Sequence, residues 1–225
     1  MEITPVATFH SPFNQKFGIP RQSGIVSALE GTIVFEPQYR NPDSLRGIEE
    51  FDYIWLIWEF SANRHAATSP TVRPPRLGGN TRVGVYATRS PYRYNPLGLS
   101  AVRLTKVELD TEQGPVIHVA GADLMDGTPI YDIKPYVAYA DAHPDARSGF
   151  VDSNAWHQLE VYIPQEMEKM FTKQQLEALR QSLALDPRPH YHDDPAKVYG
   201  MRFAGHDIHF TVDGKTLRII NTNNI

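Results

Sequence analysis

Short apolar-rich runs alternate with proline- and glycine-containing breaks along the first two thirds of the chain, and helical periodicity is scarce there. The runs Pro5–Phe9, Gly31–Glu36, Tyr53–Phe60, Arg82–Thr88, Ala101–Glu108, Pro115–Ala120 and Thr128–Ile133 carry Val, Ile, Tyr, Trp and Thr. Such side chains fit a pleated, half-buried surface, so the runs are predicted strands. Asn41-Pro42-Asp43 ahead of LRGIEEF reads as a capped short helix before the strongest strand. The pattern changes after a polar, turn-rich stretch at 141–155, read as a linker. Beyond it comes a short run, Leu159–Ile163. A helix follows, with Thr172 and Gln175 in capping-box spacing and Leu176, Leu179 and Leu183 on one face. Val198–Phe203, His206–Val212 and Thr216–Ile220, the last two joined by Asp213-Gly214, read as a β-hairpin unit. The expectation is a mainly β fold, with a barrel-like domain over 1–145 and a small C-terminal α+β domain over 156–225.

Composition sharpens this in a few respects. With 225 residues, 41% hydrophobic and 21% charged, the chain is globular rather than disordered. It contains no cysteine, which removes disulfides, thiolate nucleophiles and Cys-ligated metal sites together. The longest apolar run, Tyr53 to Trp58, is far below the roughly 18 residues that a membrane helix needs. The N-terminal residues lack the pattern of a signal peptide, so a cytoplasmic setting without membrane contact is expected.

Charge is the most informative feature. The net charge is −4, yet no acidic residue occurs between Glu59 and Glu108, a stretch holding Arg64, Arg73, Arg76, Arg82, Arg89, Arg93, Arg103 and Lys106. That stretch is +8, leaving −12 for the remainder, and Tyr86, Tyr92 and Tyr94 are interleaved with its arginines. Guanidinium forks grip phosphate, and tyrosine faces stack on unpaired bases. The combination points to a polyanion or nucleotide site, with a merely solvated face as the alternative. In PTVRPPRLGGN, Pro70 to Asn80, prolines stiffen one half and a Gly-Gly pair loosens the other, which suits ligand contact or a tight crossover. No glycine-rich dinucleotide or P-loop fingerprint, nucleophile elbow or HExxH occurs. The tracts His190-Tyr191-His192-Asp193-Asp194 and His206-Asp207-Ile208-His209 lack a known ligand spacing and are read as loop and strand histidines.

Longer blocks carry a family resemblance. They are PTVRPPRLGGN, ATRS with NPLGLS between Ala87 and Ser100, and DGTPIYDIKPY from Asp126 to Tyr136. Further stretches are Ser11-Pro12-Phe13, Pro20-Arg21-Gln22-Ser23-Gly24, Arg46 to Phe51 and Asp186-Pro187-Arg188-Pro189. In these the chain resembles the TrmO (YaeB or TsaA-like) family of tRNA N6-adenine methyltransferases. The resemblance implies a β-barrel catalytic domain, a homodimer and S-adenosylmethionine as methyl donor. The implied acceptor is N6 of N6-threonylcarbamoyladenosine beside the anticodon of threonine tRNA. It places cofactor contacts on Ser23, Gly24, Ile25, Arg64, His65, Arg89, Leu99, Gly121, Ala122, Asp123 and Leu124. Two positions depart from the family pattern: Tyr94 stands where a proline is usual, and Ser61 where a histidine is usual.

Methyl transfer from a sulfonium is mainly a positioning problem, helped by a base for the weakly nucleophilic acceptor nitrogen. Asp123, Asp126 and Asp132 are the candidate bases; Asp126-Gly127 also reads as a turn, and Asp132 with Lys134 as a structural ion pair. Lys134 is alternatively a contact for the substrate's threonine carboxylate. Arg73, Arg76, Arg82, Arg93 and Tyr94 are the candidate RNA contacts. Two other readings remain: a non-catalytic RNA-binding barrel, and a metal-dependent hydrolase built on the C-terminal histidines.

Overall fold

The structure is a computed structural model that describes residues 2–63, 69–154, 157–189 and 194–225. Alternation is cleanest in β3 (Tyr53–Glu59), where Ile54, Leu56 and Trp58 are buried and the residues between them are not. A strand with one buried face needs partners on both edges. Here β1 (Ala7–His10), β2 (Glu30–Phe35), β6 (Leu97–Glu108), β7 (Val116–Ala120) and β8 (Thr128–Pro135) supply them. The order β1-β2-β7-β6-β3-β8 closes on itself through β8 and β1, antiparallel throughout, which leaves no free sheet edge. Phe9, Ile33, Ile54, Leu56, Ile117 and Ile130 fill the interior. Ala122 and Leu124 join the same cluster, so the 121–127 segment packs into one end of the barrel.

The basic stretch leaves the barrel between β3 and β6. A two-residue ribbon of β4 (Thr71–Val72) and β5 (Val83–Gly84) carries the PPRLGGN loop at its tip. Pro75–Leu77 form a 3-10 turn that ends at Gly78 and Gly79, both at positive φ, so the stiff and permissive halves occur as expected. The predicted strand Arg82–Thr88 is corrected. Only Val83–Gly84 pair, because β4 offers two residues, and Val85–Ala87 then curl into a 3-10 turn.

After the short helix α1 (Ala138–Asp141) and a 3-10 turn at Gly149–Val151, the chain builds a second sheet, ordered β10-β11-β12-β9. Its strands are β9 (Glu160–Tyr162), β10 (Tyr199–Phe203), β11 (His206–Asp213) and β12 (Thr216–Asn224), with β9 parallel to β12. The short α2 (Gln165–Glu168) and the longer α3 (Lys173–Ala184) accompany it. Thr172 and Gln175 form the expected capping box, and Leu179 and Leu183 are fully buried.

The irregular segment 11–29 ties the two units together. Phe13, Val26, Ala28 and Leu29 belong to the core of the second unit, although β1 and β2 on either side belong to the barrel. Phe13 meets Phe203 edge-on at 5.0 Å, and Ala204 N donates to Pro12 O at 2.9 Å. Gln174 Nε2 donates to Ala28 O at 2.9 Å. At Gly18 (φ +93°) a Cβ would stand 2.1 Å from Met201 Sδ, so the strap fits flush only without a side chain there.

Candidate functional site

At the end of the barrel filled by 121–127, a chain of hydrogen bonds leads outward from the core. Trp58 faces inward on β3 with its indole across Gly98 of β6; a Cβ at Gly98 would lie 2.2 Å from the ring. Phe60 fixes the indole edge-to-face at 4.3 Å. Trp58 Nε1 then donates to Ser100 Oγ at 3.0 Å, and Ser100 Oγ donates to Asp123 Oδ1 at 2.6 Å. Ser100 and Trp58 are buried, while Asp123 is half-buried. Burial pushes the Asp123 carboxyl above the usual carboxylate range. The Ser100 hydroxyl, the backbone amides of Asp123 and Ser23, and the Arg89 charge all act in the opposite direction.

The strap supplies the opposite side. Gly24 N donates to Gly121 O at 2.7 Å, and Gly121 N to Leu29 O at 2.8 Å. Both glycines have positive φ, and a Cβ on Gly121 would stand 3.3 Å from Gly24 Cα, so the strap and the barrel-end segment meet backbone to backbone. Among the described residues, nothing beyond its chain neighbours lies within 4 Å of where a Gly24 Cβ would be, so that backbone faces open space. Gln22 Oε1 accepts from Arg89 Nη1 at 2.5 Å. Arg21 Nη2 donates to Asp186 O at 3.3 Å, and Arg188 holds both Asp186 oxygens through Nε and Nη2, at 2.9 and 3.0 Å. The cofactor contacts expected at Ser23, Gly24, Arg89, Gly121 and Asp123 thus converge on one rim. Ile25 and Leu99 are 48% and 56% exposed, respectively, and Ala122 and Leu124 are buried beneath. Arg64 and His65 lie outside the described residues, as do His190, Tyr191, His192 and Asp193.

The candidate bases separate. Asp126 Oδ1 accepts from Ser11 N at 3.2 Å and pairs with His10 Nδ1 at 3.0 Å, tying the turn to β1. Asp132 lies on the outer barrel wall and pairs with Lys134 at 2.9 Å. Asp123 alone of the three joins the rim. Among the RNA candidates, Arg93 Nη1 donates to Thr88 O at 2.8 Å and Arg76 Nε to Asn154 O at 2.8 Å. Arg82 Nη1 donates to Thr71 Oγ1 at 2.6 Å, and Tyr94 stacks obliquely on Tyr86 at 6.2 Å. Arg73 is exposed and has no partner among the described residues.

Trp58, Ser100 and Gln22 were not singled out as site residues from the sequence. The signal for Ser100 is its place two residues after Gly98, which puts both on the inward face of β6. Two grooves open on the surface, the second lined in part by Ile25. One of about 540 Å³ runs over His10, Thr32, Lys106 and His118, and one of about 470 Å³ lies between the strap and α3.

The comparisons with known proteins agree with this architecture. The family model for the N-terminal domain of tRNA-methyltransferase O matches residues 8–142, and that for the TrmO C-terminal domain matches 157–225. A tRNA (adenine(37)-N6)-methyltransferase of Escherichia coli K12 is 37% identical over 204 residues, 87% of this chain and 86% of the relative. A human protein of the same name is 35% identical over 190 residues, 83% of this chain and 41% of the relative. The crystal structure of TrmO from Pseudomonas aeruginosa superposes with a TM-score of 0.79 at 31% identity, covering 100% of this chain and 97% of that one. The family models and the named relatives show that this closed barrel with its strapped second unit is a tRNA methyltransferase. The chain belongs to the TrmO family.

Proposed function

We propose that this chain methylates N6 of adenine 37 in tRNA with S-adenosylmethionine, and that the acceptor is N6-threonylcarbamoyladenosine in threonine tRNA. Relatives named tRNA (adenine(37)-N6)-methyltransferase and S-adenosylmethionine-dependent methyltransferase support the reaction and the donor. The observation that carries the reading for this chain is the convergence of Asp123, Arg89 and the Gly24–Gly121 backbone contact on one rim.

The rim fits the donor. Open space over Gly24 admits a ligand against bare backbone, the Asp123 carboxylate complements a sulfonium, and Arg89 matches an amino-acid carboxylate. When bound, the donor supplies an electrophilic methyl whose carbon–sulfur bonding pair stays with sulfur as nitrogen attacks. Asp123 accepts the single N6 proton of the carbamoylated adenine as the new N–C bond forms, so charge balances at the acceptor. Its raised proton affinity suits that task. Arg73, exposed on the RLGGN side of the molecule, contacts phosphate, and Tyr86 and Tyr94 offer faces to unpaired bases. The expected homodimer belongs to the proposal.

Threonine tRNA prepared with and without the threonylcarbamoyl group, incubated with the chain and S-adenosylmethionine, tests the substrate. The reading expects a 14-dalton gain only on the carbamoylated nucleoside; a gain on plain adenosine alone would refute the acceptor. A non-catalytic RNA-binding barrel would bind tRNA but give no heat with S-adenosylmethionine in calorimetry.

A further inference from the structure

The Trp58–Ser100–Asp123 chain has a direction fixed by chemistry. An indole nitrogen can only donate, so the 3.0 Å bond from Trp58 Nε1 makes Ser100 Oγ the acceptor. A serine hydroxyl has one hydrogen, and the remaining short contact, 2.6 Å to Asp123 Oδ1, takes it. Neither the indole nor the hydroxyl is free to turn. The indole is held between Gly98 and Phe60, and Ser100 is 1% exposed where β6 pairs with β3 opposite Leu56. A buried hydroxyl with both bonds satisfied does not reorient, whereas a lone serine beside a carboxylate would.

We infer that Ser100 is a positioning residue for methyl transfer, with its oxygen occupied by Trp58 and its proton committed to Oδ1 of Asp123. The carboxylate lone pairs not taken by Ser100 or by the backbone amides of Ser23 and Asp123 are then left to receive the acceptor proton. Trp58 acts through Ser100 and touches neither cofactor nor RNA in this assignment. The inference rests on the reading of Asp123 as the base. The charged group acting on Asp123 from a neighbouring element is Arg89, whose pull toward the ionised form persists when Ser100 is changed.

The test is the pH dependence of kcat for methyl transfer to tRNA in wild type, Ser100→Ala, Ser100→Thr, Trp58→Phe and Asp123→Asn, with melting temperatures recorded. Ser100→Ala should lower kcat roughly tenfold, the scale of one lost charge-assisted hydrogen bond, with little change in KM for the donor. Loss of a donor to the carboxylate raises its proton affinity, so the acidic limb of the profile should move up by roughly one pH unit. Ser100→Thr, which keeps the hydroxyl, should return the limb toward wild type. An unmoved limb in a folded Ser100→Ala protein would overturn the inference, because a purely structural serine lowers activity without shifting it. If Ser100→Ala does not fold, Trp58→Phe carries the test: it keeps the hydroxyl but frees its orientation, and should shift the limb in the same direction by less. An unshifted limb there overturns the inference as well. Asp123→Asn separates the two levels. An inactive Asp123→Asn beside an unshifted Ser100→Ala removes only the positioning role, whereas an active Asp123→Asn removes the base assignment beneath it.

Discussion

Gly98 and Trp58 occupy one volume: the ring of Trp58 passes where any side chain on Gly98 would begin, 2.2 Å from an ideal Cβ. The barrel end therefore depends on a missing side chain on β6 to seat a large one on β3. Gly98→Ala should push the indole off Ser100 and destabilise the fold by about 1–3 kcal/mol, as overpacking does. The drop in activity should exceed the lost stability. Denaturant unfolding alongside methyl-transfer rates checks this, and a variant with native activity would show that the indole's seat is dispensable.

Asp123 is expected to trade stability for chemistry. Its carboxyl has a higher proton affinity in the folded protein than in the unfolded chain. Its contribution to stability is therefore fully present below the ordinary carboxylate pKa and is lost as pH rises through the raised value. Asp123→Asn keeps an acceptor for Ser100 without the buried charge. It should melt higher than wild type at neutral pH, with the difference shrinking on acidification. The same variant should lose roughly 10²–10⁴-fold in kcat if Asp123 is the base. Thermal melts at pH 4 and pH 8 decide the first part; a lower neutral melting point would contradict it.

The arginines should divide by their present bonds. Arg73 has no partner among the described residues, whereas Arg93 is bonded to the carbonyls of Thr88 and Ser90 within its own loop. Arg73→Ala should weaken tRNA binding and reduce the slope of log affinity against log salt by about one. Arg93→Ala should instead loosen the 88–93 loop. Filter binding across a salt series distinguishes them, and an unchanged slope for Arg73→Ala would remove it from the RNA surface.

The strap predicts coupling between the two units. Phe13 is fully buried against Phe203 of the C-terminal sheet, while Ser23 and Gly24, farther along the same segment, lie at the rim proposed to hold the methyl donor. Phe13→Ala should cost about 3–5 kcal/mol of stability, the usual range for a truncated core phenylalanine. At temperatures where the variant stays folded it should also weaken S-adenosylmethionine binding, although Phe13 is not assigned to the rim. Calorimetry below the melting transition checks it; native donor affinity would mean the rim does not depend on the second unit.

Strands such as β2 and β3 are legible because they bury one face, so period two survives in the residues, and β3 and β8 start where the pattern places them. Their spatial order is not, since β2 pairs with β7 and β1 with β8 across most of the domain, and local pattern carries no record of distant partners. The strap was opaque for the same reason; Phe13, Val26 and Leu29 have no periodicity and are buried only by residues far along the chain. Asp132 shows a subtler loss. Thr128 and Ile130 face inward, and strict alternation would turn Asp132 inward too. A register shift opposite Ile57 and Trp58 resets the pattern and sends Asp132 outside to Lys134. The glycines at 24 and 121 were visible as motif letters, but their mutual hydrogen bond was not.

The most direct test of the account follows methyl label from S-adenosylmethionine into carbamoylated threonine tRNA, with mass spectrometry of the anticodon-loop fragment, for wild type and Asp123→Asn side by side. The account predicts one methyl on the modified adenine at position 37 with wild type and almost none with Asp123→Asn. Label elsewhere in the tRNA, or equal label from both proteins, would contradict it.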